Sequence, residues 1–358
     1  MNYSSPPREF PVQGPRQNHE VDVVGHIFAN LGNRASAPAE PVTPGLSSDP
    51  PSHKSPEGTL WTEELNVVHG LAIPQNLAEA IERDGRQSWW STLPAIVRDV
   101  ADIWSLEVGE PFQPGGDTAW VAPARNELDV ELVLKLAWRH PESEHEGDGL
   151  VAWRGRGAIQ LHARKQFDET NALLLERCLP GSPLRDRPET EQDVVIAGLL
   201  QKLWIAPAEG HCFQNLRIMC EQWADRFEEK VDSAVTGLDP GLARDGITLF
   251  RELPATAESE VLLCTDLHAG NVLMAEREPW LAIDPKPYVG DRTYDPLQHM
   301  LNCADRLLVD PKGFASRVAD LLNLDRDRLL EWLFARSVQF SPEWPWLAEV
   351  ARLVAPGR

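Results

Sequence analysis

The sequence predicts an α/β chain of the α+β kind, folded as two lobes, the first rich in strands and the second in helices. Three patterns carry that expectation. Two apolar runs, Val130–Leu136 and Ala172–Arg177, have the length and aliphatic content of buried strands. Beyond Pro180-Gly181 the spacing changes: Val195, Leu199 and Leu203 share one helical face, and Leu216, Met219, Trp223, Phe227 and Val231 share another. Three short extended runs interrupt this helical half, Val261–Cys264, Asn271–Met274 and Trp280–Ile283, each followed by polar residues.

In chain order, residues 1–58 hold ten prolines, many serines and one short apolar stretch, Val21–Phe28, too little to bury against anything; they read as a disordered leader. Residues 59–178 are expected to form the N-terminal lobe. There Leu77, Ile81, Trp90, Leu93, Ile96, Val97, Val100 and Trp104 recur at helical spacing and stop before the breakers Gly109 and Pro111. Pro114-Gly115-Gly116-Asp117-Thr118 then turns into an extended stretch through Val121, predicted to pair with Val130–Leu136 across the polar Arg125-Asn126-Glu127. The Ala172–Arg177 strand runs into the lobe boundary, and residues 179–358 form the C-terminal lobe.

Composition narrows the function. A chain of 358 residues, 42% hydrophobic and 25% charged, has enough apolar material for two cores. No run of about 18 apolar residues is long enough to span a bilayer, and no basic start leads into an apolar segment, so a cytoplasmic protein that engages no membrane is expected. A formal net charge of -21 repels phosphate backbones and argues against nucleic acid as a partner. The same field would draw in a cationic small-molecule substrate, although acidity also serves solubility alone. Five cysteines, odd in number, scattered and without a C-x-x-C pair, support neither a disulfide framework nor a zinc site. Among the thirteen tryptophans, Trp89-Trp90 or Trp344 with Trp346 are candidates to line a ring-binding site, but core packing is the ordinary use of such side chains.

The chemistry concentrates in Leu263-Cys264-Thr265-Asp266-Leu267-His268-Ala269-Gly270-Asn271-Val272-Leu273, followed after one hairpin by Ile283-Asp284-Pro285-Lys286. Phosphoryl transfer from ATP needs a carboxylate within reach of the attacking hydroxyl and oxygen ligands that hold magnesium against the phosphates. An Asp, an Asn five positions later and a second Asp beyond a hairpin supply that set. Spacing alone does not decide it, because Asp and Asn beside Gly are common turn formers. The surrounding residues do: the stretch resembles the catalytic loop of aminoglycoside phosphotransferases, usually H-G-D-L-H-P-G-N, and Ile283–Lys286 resembles the I-D-P-K segment of their streptomycin 6-kinase and hydroxyurea phosphotransferase branch. Further stretches are similar, including Leu132–Leu136, Glu142–Gly157, Leu174–Arg177, Trp280–Asp295 and Leu324–Trp332, so the resemblance covers roughly residues 70–340.

The resemblance implies a protein-kinase-like fold and an enzyme that moves the γ-phosphate of ATP, with Mg2+, onto an alcohol group of a small molecule, an aminoglycoside such as streptomycin or else hydroxyurea or a metabolite. It makes Asp266 the catalytic base, Asn271 and Asp284 the metal ligands, and Lys135 the lysine that reaches the ATP phosphates. The helix carboxylate paired with Lys135 would be Glu146, with Glu144 as the alternative. Gly115 and Gly116 stand where a loop over the phosphates would lie, although paired glycines also make ordinary hairpins. Glu176 and Cys178 mark the hinge strand that would hold the adenine through its backbone. His268 is expected to fix the loop rather than act on substrate, and Asp295 to cap the helix through Leu297 and Leu301. Cys264-Thr265 in place of His-Gly, and Ala269 in place of Pro, depart from the pattern; the first motivates a rival reading, a nucleotide-binding pseudokinase.

Overall fold

The computed structural model describes residues 67–68, 70–230 and 237–357. The expected leader and Val231 lie outside the described residues. A two-residue hairpin, β1 (Val67–Val68) and β2 (Leu71–Ala72), precedes α1 (Gln75–Asp84) and α2 (Gln87–Trp104). These helices turn Leu77, Ile81, Trp89, Trp90, Leu93, Ile96 and Val100 to one buried side, so Trp89 and Trp90 are core residues.

That side covers a five-stranded antiparallel sheet of order β3-β4-β5-β7-β6. Its strands are β3 (Leu106–Val108), β4 (Ala119–Asn126), β5 (Glu131–Trp138), β6 (Leu161–Gln166) and β7 (Thr170–Glu176). Strand alternation divides the sheet's residues between its faces. Trp120, Ala122, Leu134, Leu136 and Ala172 join the helices in one core, whereas Val121, Val133, Lys135 and Leu175 face a cavity on the other side. β6 carries only a weak strand signal in the sequence, because in Leu161-His162-Ala163-Arg164-Lys165-Gln166 the apolar alternation is confined to Leu161 and Ala163 on a half-exposed edge.

Past β7 the chain is mainly helical: α4 (Glu189–Leu203), α5 (Leu216–Lys230), α6 (Pro240–Glu252), then α7 (Leu297–Leu301), α8 (Ala304–Val309), α9 (Pro311–Leu322), α10 (Arg326–Phe340) and α11 (Leu347–Val354). The three extended runs appear as β8 (Glu260–Leu263), β9 (Val272–Met274) and β10 (Trp280–Ala282). β9 and β10 pair as a hairpin, and β8 pairs with β11 (Tyr288–Asp291). The second core also takes in residues from before the expected boundary: Leu150 and Trp153 of α3 (Glu146–Trp153), Leu173 and Leu175 of β7, and Cys178. The helix beside the sheet therefore adheres to both lobes.

Buried ions brace the helical lobe. Asp193 on α4 is buried and accepts from His299 Nε2 at 2.9 Å, from both terminal nitrogens of Arg306 at 2.9 Å and from Arg317 Nε at 2.7 Å, tying α4 to α7, α8 and α9. Burial alone would raise its carboxyl, but these donors outweigh it and hold it well below the ordinary carboxylate range. A depressed folded-state pKa means that its contribution is complete above the unfolded value of about 3.9 and is lost as pH falls below it. Asp193→Asn is expected to cost about 3 kcal/mol at neutral pH. The gap in melting temperature between wild type and variant should shrink between about pH 5 and pH 3; a gap that stays constant in thermal melts over that range would rule out the Asp193 charge as its source.

Candidate active site

Lys135 occupies the middle of β5, on the face opposite the helices, and its ammonium is buried. An ammonium there must be paired. Its Nζ lies 2.8 and 2.7 Å from the two oxygens of Glu146, the first residue of α3, and 2.5 Å from Oδ1 of Asp284. Glu144, the alternative partner, instead bonds Arg139 at the surface. Burial alone would lower Lys135, but Asp284 and Glu146 outweigh it and raise its pKa. Burial is the larger influence on Glu146 and pushes its carboxyl up to about 7 against the pull of Lys135. Asp284 is half open to the cavity; desolvation by its surroundings would raise it, yet Lys135 and Lys286 hold it down at about 2. It stays ionised throughout the physiological range.

The loop after β8 is held by hydrogen bonds and by Cys264, Leu267 and Ala269, which are buried in the helical lobe's core. The Asp295 carboxylate accepts from the backbone N–H of Cys264 at 3.1 Å and of Thr265 at 2.7 Å, and from Trp204 Nε1 at 2.9 Å. This corrects the helix-cap expectation: α7 has no side-chain cap, and Asp295 braces the loop after β8 instead. Thr265 sits at φ 50°, a left-handed conformation that glycine adopts freely and a β-branched residue does not. Its hydroxyl donates to the carbonyl of Lys286 at 2.6 Å, which offsets part of the strain. His268 behaves as expected of a loop-fixing residue, its Nδ1 accepting from Gly270 N at 3.1 Å. Burial lowers its pKa and keeps the ring neutral for that role. Asn271 donates from Nδ2 to the Asp266 carbonyl at 3.1 Å, so the two residues share one turn.

Asp266 is buried near the start of this loop. One carboxylate oxygen takes the Lys286 ammonium at 2.8 Å, and the other, Oδ1, has no hydrogen-bond partner among the described residues. No role is assigned to Lys286 from the sequence, although its place two residues after Asp284 was the available signal. The turn at Asp284, φ 51°, brings it back toward Asp266. Glu142, buried 3.7 Å from Lys286 Nζ, opens the similar stretch Glu142–Gly157 but carries no signal of its own that singles it out.

Lys135, Glu146, Asp266, Asn271, Asp284, Gly115, Gly116 and Glu176 all line one cavity of about 420 Å3 between the sheet and the helical lobe. That volume suits a small-molecule site. Gly115 is required by its surroundings: φ is 78°, and a Cβ there would meet Pro74 Cβ at 2.4 Å. Gly116 has open space around its Cα. The Glu176 side chain is occupied with Arg277, at 2.9 and 2.8 Å. Cys178 does not line the cavity; it packs in the helical lobe's core, where burial pushes its thiol up to about 12.

This architecture has known counterparts. A thermostable aminoglycoside phosphotransferase variant, crystallised with ADP and hygromycin B, superposes with a TM-score of 0.52 over 73% of this chain and 99% of its own, at 14% identity, a likeness of protein-kinase-like fold. Streptomycin 6-kinase of Streptomyces griseus is 34% identical over 286 residues, 75% of this chain and 89% of its own length. Hydroxyurea phosphotransferase of Kitasatospora aureofaciens is 34% identical over 320 residues, 84% of this chain and 87% of its own. The sequence model of the aminoglycoside/hydroxyurea antibiotic resistance kinases matches residues 110–346, a span that takes in four of the sheet's five strands, Lys135, Glu146 and the whole loop from Cys264 to Asn271, and the chain belongs to that family of small-molecule kinases.

Proposed function

We propose that this chain transfers the γ-phosphate of ATP to an alcohol hydroxyl of an aminoglycoside such as streptomycin, with Asp266 as base, in the cytoplasm where ATP is supplied. The observation that carries the reading is the convergence of Lys135 and Asp284, 149 positions apart, with Glu146, Asn271 and Asp266 in one cavity. Hydroxyurea is the second acceptor, supported by the equally similar relative of that name. A cationic acceptor is favoured by the net charge of -21. In this reading residues 59–178 carry the nucleotide, held against the end of β7 at Leu175 and Glu176, and residues 179–358 carry the catalytic loop and the acceptor.

The residues fit the groups they would hold. Val121, Val133, Ile159, Leu175 and Ile283 offer apolar surfaces for a planar base. The ionised Asp284 carboxylate and the Asn271 amide are oxygen donors suited to Mg2+, which supplies charge neutralisation for the phosphates when bound. Lys135, kept charged by its two acids, reaches the phosphates as a point charge. Asp266 Oδ1 receives the hydroxyl proton while Lys286 holds the other oxygen and fixes the carboxylate's orientation. The acceptor oxygen bonds to the γ-phosphorus, the bond to the β–γ bridging oxygen breaks, and ADP leaves. A pseudokinase reading is disfavoured because Cys264-Thr265 leaves the loop fully braced by Asp295 and Lys286.

Asp266→Ala is expected to lower kcat by roughly 10²- to 10⁴-fold without weakening nucleotide binding. Asp284→Ala should weaken magnesium-dependent nucleotide binding as well as turnover, measured by calorimetric titration with and without the metal. Full activity in the Asp266 variant would refute its role. With labelled ATP and Mg2+, wild type should label streptomycin, and hydroxyurea at a lower kcat/KM. Labelling of hydroxyurea alone would transfer the assignment to the second acceptor.

A further inference from the structure

Asp266 stands in the wall between two cavities. On one side is the cavity that holds Lys135, Asn271 and Asp284. On the other is a small internal chamber lined by Glu142, Trp223, Tyr288, Tyr294, Gln298 and Arg336. Asp266 and Lys286 line both. Phosphoryl transfer needs the accepting oxygen in contact with both the base and the γ-phosphorus, so the reacting hydroxyl stays on the cavity side of Asp266 and only a small group beside it can enter the chamber.

The chamber is polar in an unusual way. Glu142 is 4% exposed, and neither of its oxygens has a hydrogen-bond partner among the described residues. Lys286 Nζ, at 3.7 Å, is a counter-charge but too distant to be a donor. Gln298 Nε2, also buried in the chamber wall, is unpartnered as well. Buried carboxylates without donors are costly, and a donor brought by a water or by a ligand relieves that cost. Burial pushes the Glu142 carboxyl up, with Lys286 opposing, so an incoming N–H or O–H donor would relieve both desolvation and charge. The chamber has room for about one water-sized group, so what enters is a single slim substituent rather than a ring.

We propose that this chamber is the inner end of the acceptor site, and that Glu142 accepts a hydrogen bond from an N–H or O–H group neighbouring the hydroxyl that is phosphorylated. The assignment rests on the phosphotransferase reading above and deepens it. The acceptor class is an alcohol or N-hydroxy compound with a small N–H or O–H donor beside the reacting oxygen; hydroxyurea qualifies through its nitrogen, and streptomycin only through a hydroxyl that neighbours the reacting one. Gln298 supplies the complementary donor for an acceptor oxygen, and Trp223 and Tyr288 the apolar walls.

The test is Glu142→Gln, which keeps the shape and removes the anion, with Glu142→Asp as the variant that retains it. Binding of hydroxyurea and of streptomycin is measured by calorimetry in the presence of a non-hydrolysable ATP analogue and Mg2+, alongside steady-state kinetics. We expect one or both acceptors to bind wild type and Glu142→Gln to weaken that binding about tenfold or more. KM for the acceptor should rise more than kcat falls, nucleotide affinity should stay unchanged, and Glu142→Asp should recover part of the loss. Unchanged acceptor affinity in Glu142→Gln, a parallel loss of nucleotide affinity, or no binding of either acceptor to wild type would each overturn the assignment. Acceptor binding that depends on Glu142 without any transfer by wild type would leave the chamber standing and sink the phosphotransfer reading instead.

Discussion

The arrangement depends on keeping one cation, Lys135, charged inside the protein. An isolated ammonium on the inner face of a sheet would cost several kcal/mol. The chain meets that requirement with two acids from different places, Glu146 at the start of α3 and Asp284 in the loop after β10. Sheet, helix and catalytic loop are thereby referenced to one point. The apolar packing is consistent with this, since α3 shares its buried side with the helical lobe's core. A change that removed either acid would leave the lysine less well compensated and loosen the element that supplied it.

A second set of charges lies deeper. Lys286 connects Asp266 to Glu142, so positive and negative groups alternate from the cavity beside the sheet into the interior. The backbone around them is fixed by neutral donors to Asp295, which explains how a loop can hold several ionised groups in place without regular secondary structure. The two aspartates differ in this respect: among the described residues Asp266 keeps an oxygen unpartnered, and Asp295 spends both of its oxygens on the scaffold.

The parts of this design that were legible in the sequence are those with local periodicity or a contiguous motif. Val130–Leu136 and Ala172–Arg177 read as strands because burial on both faces leaves long apolar runs. Asp266, Asn271 and Asp284 were readable because they lie in two short segments joined by one hairpin. The choice between Glu146 and Glu144 was not, since both stand in an acidic stretch, and only the start of α3 at Glu146 turns that carboxylate inward. Glu142, Gln298 and Arg336 lie on a loop and two separate helices, where each looks like an ordinary polar residue; their convergence is a property of packing alone. Asp295 was misread as a cap because Asp before an apolar run is a cap signal, and nothing local reveals that its partners are 30 residues upstream.

Thr265 carries a consequence for how this loop can drift. Its left-handed backbone favours glycine, and threonine is retained through a hydroxyl that bonds the Lys286 carbonyl. Valine would have the same shape and strain without that bond, and alanine would keep strain with no compensation. The neutral route between glycine and threonine therefore passes through serine, which keeps the hydroxyl without the branched β-carbon. Codons for glycine, serine and threonine are joined by single-base steps, so the position is open to change along one narrow path and closed to most others.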